Sequence, residues 1–187
     1  SVGAWLETWL MESAKPSVRP RTWNTYAAIT RKHLIPAFGK TLLRKLEPSQ
    51  IRTYMNKQRA AKLTPRTVQH HHAVLRRALA IAESDGLVAK NVAKLATPPT
   101  VRQAEVVPMT ADQWAIFLAA VVGDEFELLY HVAMALGCRQ SELLGLTWAN
   151  VDLDGATLKV TDSLQRYDGA YHLDPLKTDK SRRTLAL

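Results

Sequence analysis

The sequence is poor in cysteine, in long apolar runs and, over its first half, in acidic residues. One of its 187 residues is a cysteine, Cys138. That excludes an internal disulfide framework and fits a reducing compartment. The longest uncharged apolar stretch, from Leu128 to Cys138, is too short to span a bilayer and contains His131 and Gly137. The N-terminus shows no basic segment followed by an apolar run, so no secretion signal is expected; the absent initiator Met suggests an excised piece. There is no Gly-x-Gly-x-x-Gly, no phosphate loop with Gly-Lys-Ser/Thr, no His-Glu-x-x-His and no self-similar repeat. What is present is ordinary globular composition, 47% hydrophobic and 22% charged, at a length suited to one large domain or two small ones. A cytoplasmic protein without membrane contact is expected.

Charge is unevenly placed. Residues 1–107 carry 18 Lys and Arg against 6 Asp and Glu, a net of +12, whereas residues 108–187 carry 7 against 11, a net of −4. Such asymmetry points to a polyanionic partner for the first half. Basic residues spread over several packed helices favour nucleic acid over a membrane surface.

The first half reads as helical. Trp5, Leu6, Trp9 and Leu10 form one inner stripe, and Pro16 and Pro20 punctuate the passage to a second helix with Trp23, Tyr26, Ala27, Thr30 and Leu34, which Pro36 and Gly39 should end. Pro48 opens a third helix carrying Ile51, Tyr54, Met55 and Gln58. Thr64-Pro65 caps a fourth that runs to about Asp85-Gly86, and Asn91 caps a short turn. On the fourth helix Val68, Leu75, Leu79 and Ala82 share one side, while Arg66, His70 and Arg77, flanked by Gln69 and Arg76, share the other. No acid lies between Thr64 and Ala82, so i, i+4 neutralisation is impossible there and the face is suited to phosphate. His70-His71-His72 cannot converge on one ion from consecutive helical positions, and no metal site is expected.

Ala96 to Pro108, with Pro98-Pro99 and no helical period, reads as an extended linker. It separates domains at residues 1–95 and 109–187. Beyond it Thr110 and Gln113 form a capping box. Trp114, Phe117, Leu118 and Val121 supply a buried face, and Phe126 to Leu136 should be a core helix. Thr157–Val160, Asp162–Tyr167 and Thr184–Leu187 read as strands, with Asp168-Gly169 a hairpin turn. The five tryptophans are read as core or interface packing.

The most informative stretch runs from Ala135 to Asp152. An apolar helix ends at Gly137, Arg139 starts the next helix, and Glu142 lies one turn on, with Leu143, Leu144 and Leu146 as anchors. An arginine so fixed can grip phosphate bidentately; a structural Arg/Glu helix-start pair fits the local pattern equally. This stretch resembles the phage-integrase branch of the tyrosine recombinases, whose pattern Thr-Gly-x-Arg-x-x-Glu-Leu-x-x-Leu-x-Trp-x-Asp is matched at Gly137, Arg139, Glu142, Leu143, Leu146 and Trp148. It departs at Leu136 and Asn150. Pro175 to Leu185 resembles that family's Lys-Thr-x-x-Ser-x-Arg hairpin, with Lys177 matching its lysine and Lys180 competing. The opening Trp-Leu-x-x-Trp-Leu, the Thr-Pro-Arg-Thr-Val helix start and Asp-Gly-Leu-Val resemble its core-binding domain.

The resemblance implies a mainly α fold with a small β-sheet. A four- to five-helix core-binding, SAM-like domain would precede an incomplete α+β catalytic domain. It implies Arg139 as the first phosphate-binding arginine, Glu142 as a supporting acid and Lys177 as proton donor, with no metal and no cofactor. The family's His-x-x-Arg segment and nucleophilic tyrosine find no match, so a fragment that binds but does not cleave DNA is expected. A natural truncation occupying core sites is the alternative. Helix face and charge nominate Arg21, Thr22, Arg31, Lys32, Arg66, Thr67, His70, Arg76 and Arg77 for contact with double-stranded DNA. The implied parent is bacterial or phage-encoded, a tetramer on synapsed DNA, with a host bending protein and an excisionase as further partners.

Overall fold

The computed structural model describes residues 1–103, 105–178 and 181–187, and these divide into two compact units, Ser1–Ala104 and Glu105–Leu187. In the first, helix α1 covers Val2–Thr8 and continues through a π-helical stretch, Trp9–Ala14, into Lys15–Ser17. Helix α2 repeats that construction with Pro20–Ile29, a π stretch Thr30–Leu34, and Ile35–Phe38.

The helices end where the sequence places their ends, at Ser17 and at Phe38 with Gly39 as C-cap, but Pro16 and Pro36 lie inside the last turns rather than stopping them. A proline lacks an N–H and its ring collides with the carbonyl four residues back. Here the residue before each proline donates five residues back instead, Lys15 to Leu10 and Ile35 to Thr30. That widened turn gives the ring room, and the helix continues.

Helix α3 (Pro48–Ala60) starts with the Glu47 N–H donating to Gln50 Oε1 at 2.9 Å. Helix α4 (Pro65–Ser84) is capped by Thr64, whose hydroxyl accepts from the Thr67 N–H at 3.2 Å. A 3-10 turn, Val92–Leu95, is capped by Asn91. The core joins Leu6, Trp9 and Leu10 of α1 to Leu34, Ile51, Val68, Leu75 and Leu79. Indole N–H groups lash the helices together, Trp5 to the Ala78 carbonyl and Trp23 to the Leu10 carbonyl, each at 3.0 Å.

The three histidines of α4 separate. His70 is exposed, while His71 and His72 are buried. His72 Nε2 meets the Ala93 carbonyl at 2.9 Å; His71 stacks on His33 at 4.4 Å, and its Nδ1 lies 2.8 Å from the Tyr54 hydroxyl. Burial, with the charges of His33 and His70, holds His71 down to about 4, and burial pushes the Tyr54 hydroxyl up to about 12. Tyr54 thus donates and neutral His71 accepts. The unfolded chain takes up a proton near the ordinary histidine value of 6.5 that the folded state refuses until about 4. Stability is full above 6.5 and is lost as pH falls through that window. Melting at pH 7 and pH 5 should differ by about 2 kcal/mol of stability, and His71→Gln should flatten the difference. An unchanged slope in that variant would place the acid sensitivity elsewhere.

In the second unit, helices α5 (Ala111–Ala120), α6 (Glu127–Leu136) and α7 (Gln140–Leu143) precede the strands. Strands β1 (Val151–Asp152), β2 (Thr157–Val160) and β5 (Arg183–Ala186) form one antiparallel sheet in the order β1-β2-β5. Strands β3 (Asp162–Tyr167) and β4 (Ala170–Pro175) form a separate hairpin around Asp168-Gly169, inserted between β2 and β5. The small core is Leu158, Val160 and Leu176.

Helix α6 is not the core helix expected. None of its residues is buried, and Leu128 is 75% exposed. Its apolar face meets chiefly α5, where Phe117 and Tyr130 pack edge to face at 5.4 Å, and α7. The buried face expected of α5 is likewise only half-buried, at Trp114, Phe117 and Leu118. Trp148 is 82% exposed rather than packed, because the 3-10 turn Trp148–Asn150 directs it away from the sheet that Leu146 packs against. Lys177 sits in no hairpin turn: β4 and β5, on either side of it, belong to different sheets. Among the described residues no helix is long and apolar enough to cross a membrane.

Candidate phosphate site and basic helical face

Helix α6 ends at Gly137, which takes the left-handed conformation (φ 59°) that glycine adopts without strain and turns the chain toward Arg139. Arg139 is the N-cap of α7, and Glu142 reaches back to accept its backbone N–H at 3.0 Å. The same carboxylate accepts Arg139 Nη1 at 2.7 Å and Arg183 Nη2, from β5, at 2.9 Å. Glu142 is 2% exposed, whereas the Arg139 side chain is 72% exposed. Burial by itself would raise the Glu142 carboxyl, but hydrogen bonds from Arg183 and from the Arg139 backbone and side chain overcome it and hold the group at about 2.

The result is a fixed, outward-facing guanidinium on a buried anionic post. One N–H is bound to the post, and the remaining donors face solvent, in the fork geometry that suits a phosphate. The post stands close to β3. At Gly145, just past α7, a Cβ would lie 2.9 Å from the Leu164 nitrogen, so only glycine permits this approach.

Arg183 went unassigned in the sequence, although it occupies the last position of Lys-Thr-x-x-Ser-x-Arg. The structure explains that spacing. The Thr178 and Ser181 hydroxyls meet at 2.8 Å, the Ser181 N–H donates to the Thr178 carbonyl, and Arg183 Nη1 donates to the Ser181 carbonyl at 3.2 Å. Arg183 also reaches Cys138 Sγ at 3.4 Å. Lys177 lies between this hydrogen-bonded turn and buried Leu176, exposed, with no hydrogen bond to the Arg139–Glu142–Arg183 cluster. Lys180 lies outside the described residues.

In the first unit two grooves flank the exposed face of α4. One, of about 590 Å³, lies between α2 and α4 and is lined by Arg21, Thr22, Tyr26, His70 and Arg77 among others. The second, of about 560 Å³, runs between α4 and the Asn91–Pro98 segment and takes Gln69, Arg76 and Lys94, again with His70 and Arg77. Arg66 and Thr67 stand exposed in the first turn of α4, where Thr67 also bonds the Thr64 hydroxyl at 2.9 Å. Lys32 is exposed on the π stretch of α2.

Arg31 is different. It forms a two-pronged ion pair with Glu7, Nε to Oε1 at 3.0 Å and Nη2 to Oε2 at 2.9 Å, which also lowers the Glu7 carboxyl through that bond. Lys94 is similarly paired with Glu83 at 2.6 Å. A cation already neutralised adds little to phosphate attraction, so Arg31→Ala should change duplex affinity by less than about twofold. A drop of the size seen for an unpaired arginine would show that the pair opens on binding.

The chain thus joins a basic helical bundle to an α+β unit that displays an arginine from a buried carboxylate. Known proteins that this chain resembles point the same way as its sequence. Residues 1–58 match the N-terminal SAM-like domain of phage integrases. An integrase of Streptomyces ambofaciens is 30% identical over 177 residues, covering 89% of this chain and 44% of that protein. An integrase of Saccharopolyspora erythraea is 29% identical over 168 residues, covering 89% and 38%. Among solved structures, the Tn1549 transposon integrase in complex with a circular intermediate DNA superposes over 100% of this chain and 61% of its own, with TM-score 0.82 and 20% identity. A lambda integrase dimer bound to a COC′ core site covers 92% of this chain and 47% of its own, with TM-score 0.72 and 17% identity. These two share the fold. The chain is similar to the tyrosine recombinases of the phage-integrase type over most of its length, and it spans less than half the length of these two curated relatives.

Proposed function

We propose that this chain binds double-stranded DNA, as the core-binding part and the first catalytic part of a site-specific recombinase. The observation that carries the binding is the outer face of α4, acid-free from Pro65 to Ala82, with grooves on both sides and arginines at its rim. Phosphates supply most of the attraction in such an interface. Residues 1–95 serve as the DNA-gripping domain, 96–108 as linker and 109–187 as catalytic portion, working in the cytoplasm.

In the second unit Arg139 is the phosphate-binding arginine. It stabilises charge that develops on the phosphoryl oxygens when a tyrosine attacks and a 3′-phosphotyrosyl link forms. Glu142 holds Arg139 in place, and Lys177 delivers the proton to the leaving 5′-oxygen. The complete protein would act as a tetramer on synapsed sites, with a bending protein and an excisionase as accessory partners.

The test uses a longer protein carrying this chain together with the family's His-x-x-Arg segment and tyrosine. Arg139→Ala should abolish the covalent DNA adduct while duplex binding persists. Lys177→Ala should slow cleavage and be rescued by a better 5′ leaving group. Adduct formation at the normal rate by Arg139→Ala would overturn the assignment; rescue confined to Lys180→Ala would move the proton donor to Lys180.

A further inference from the structure

The exposed cations of the first unit differ in how firmly they are held, and that difference separates two kinds of DNA contact. Arg66 and Arg76 are exposed, with no aromatic or acidic support among the described residues, which suits a phosphate, where reach and charge suffice. Arg31 and Lys94 are already paired with carboxylates. Arg77 is neither. Its guanidinium lies over the Tyr26 ring, 5.7 Å from the centroid, and its Nη1 donates to the Tyr26 hydroxyl at 3.3 Å. Tyr26 in turn stacks on Trp9 at 5.8 Å, and Trp9 is 1% exposed. A chain of ring contacts thus runs from the core to this exposed guanidinium and fixes its plane. Nη1 is engaged, so the Nε–Nη2 edge keeps two parallel N–H donors.

Position adds a second argument. His70, Ala73 and Arg77, at i, i+3 and i+7, line both grooves and therefore form the ridge between them. A helix about 10–12 Å across fits a major groove about 12 Å wide, and the ridge is the part of it that faces the bases. Ala73 keeps the middle of that ridge low.

Resting on the reading of this unit as a duplex-binding domain, we infer that Arg77 is a base-reading residue that recognises a guanine edge in the major groove, with Tyr26 as its positioning residue. The free Nε–Nη2 edge matches the paired O6 and N7 acceptors of guanine. Phosphate contact at the same position would need neither the stack nor the fork.

The test is selection of the 187-residue chain, and of its Arg77→Lys, Arg77→Ala and Tyr26→Leu variants, on a duplex pool with a randomised central segment. Affinity for one fixed unrelated duplex is measured across a salt series alongside. The wild-type chain should enrich a motif containing an essential guanine. Arg77→Lys keeps the charge and loses the fork, so it should lose that guanine preference by about 5- to 100-fold with unrelated-duplex affinity nearly unchanged. Tyr26→Leu should relax the same position although Arg77 remains, and Arg77→Ala should match Arg77→Lys in specificity. Thermal melting of each variant checks that the bundle stays folded, and Arg77→Lys, which removes no core contact, is the deciding variant. The inference is overturned if the wild type enriches no guanine, or if the Arg77→Lys motif is unchanged. It is also overturned if Arg77→Ala weakens all duplexes equally and lowers the salt slope by about 0.9, the mark of one phosphate contact. Absence of any duplex binding would instead overturn the proposed function itself.

Discussion

Glu142→Gln is expected to destabilise the second unit by about 2–4 kcal/mol and to release both arginines that the carboxylate holds. Glu142 is 2% exposed and accepts the Arg139 N–H, Arg139 Nη1 and Arg183 Nη2 at 2.7–3.0 Å. A neutral amide can accept but cannot neutralise, and its NH₂ group would face one of the two guanidinium donors. The cost falls below that of a fully buried triad because Arg139, 72% exposed, regains water. The acid dependence gives a cleaner signature. The carboxyl sits at about 2 against an ordinary 4.5. The unfolded chain therefore binds the proton first, and the contribution is fully present above about 4.5 and is lost as pH falls toward 2. Protection factors of the β5 amides, referred to the intrinsic exchange rate at each pH, should fall from about pH 5 to about pH 3 in the wild type and change little in Glu142→Gln. Equal acid sensitivity in both proteins would show that the post is not electrostatic.

The double substitution Arg66→Ala, Arg76→Ala should lower duplex affinity by about 10- to 100-fold near 0.1 M salt and reduce the salt slope by roughly two. Both side chains are exposed on α4, which carries no acid from Pro65 to Ala82 and whose one acid, Glu83, is paired with Lys94. Arg31→Ala is the internal control, since Glu7 already occupies that guanidinium. If the control loses as much as the double variant, charge count alone sets affinity and the placement of these residues on α4 does not matter.

Much of this was readable from the chain because helical periodicity and caps are local. Val68, Leu75, Leu79 and Ala82 fall on one side of α4 by angle alone, and all four are buried. Thr64, Asn91 and Thr110 announce helix starts by side-chain chemistry, and each accepts the expected backbone N–H. The prolines marked the helix ends but not the π stretches before them, where i→i−5 bonding, as from Lys15 and Ile35, lets the helix pass Pro16 or Pro36. Apolar content misled at α6 because a run of leucines states a preference for burial without supplying neighbours. At the site, the Arg139–Glu142 spacing of three was visible as one helical turn. The Arg183–Glu142 bond was not, since 41 residues separate its partners and only the register of β5 beside β2 brings them together. The partition of cations into paired, stacked and unsupported groups likewise depends on partners such as Glu7 and Tyr26 that no helix face reveals.

The most direct measurement is the affinity of the 187-residue chain for a short duplex, followed by fluorescence anisotropy over a series of salt concentrations. Phosphate-led binding by the first unit requires log K to fall linearly with log salt, with a slope of roughly −4 to −7 for about five to eight contacts, and to become shallower by about one for each of Arg66 and Arg76 removed. A slope near zero, or one that those substitutions leave unchanged, would contradict it.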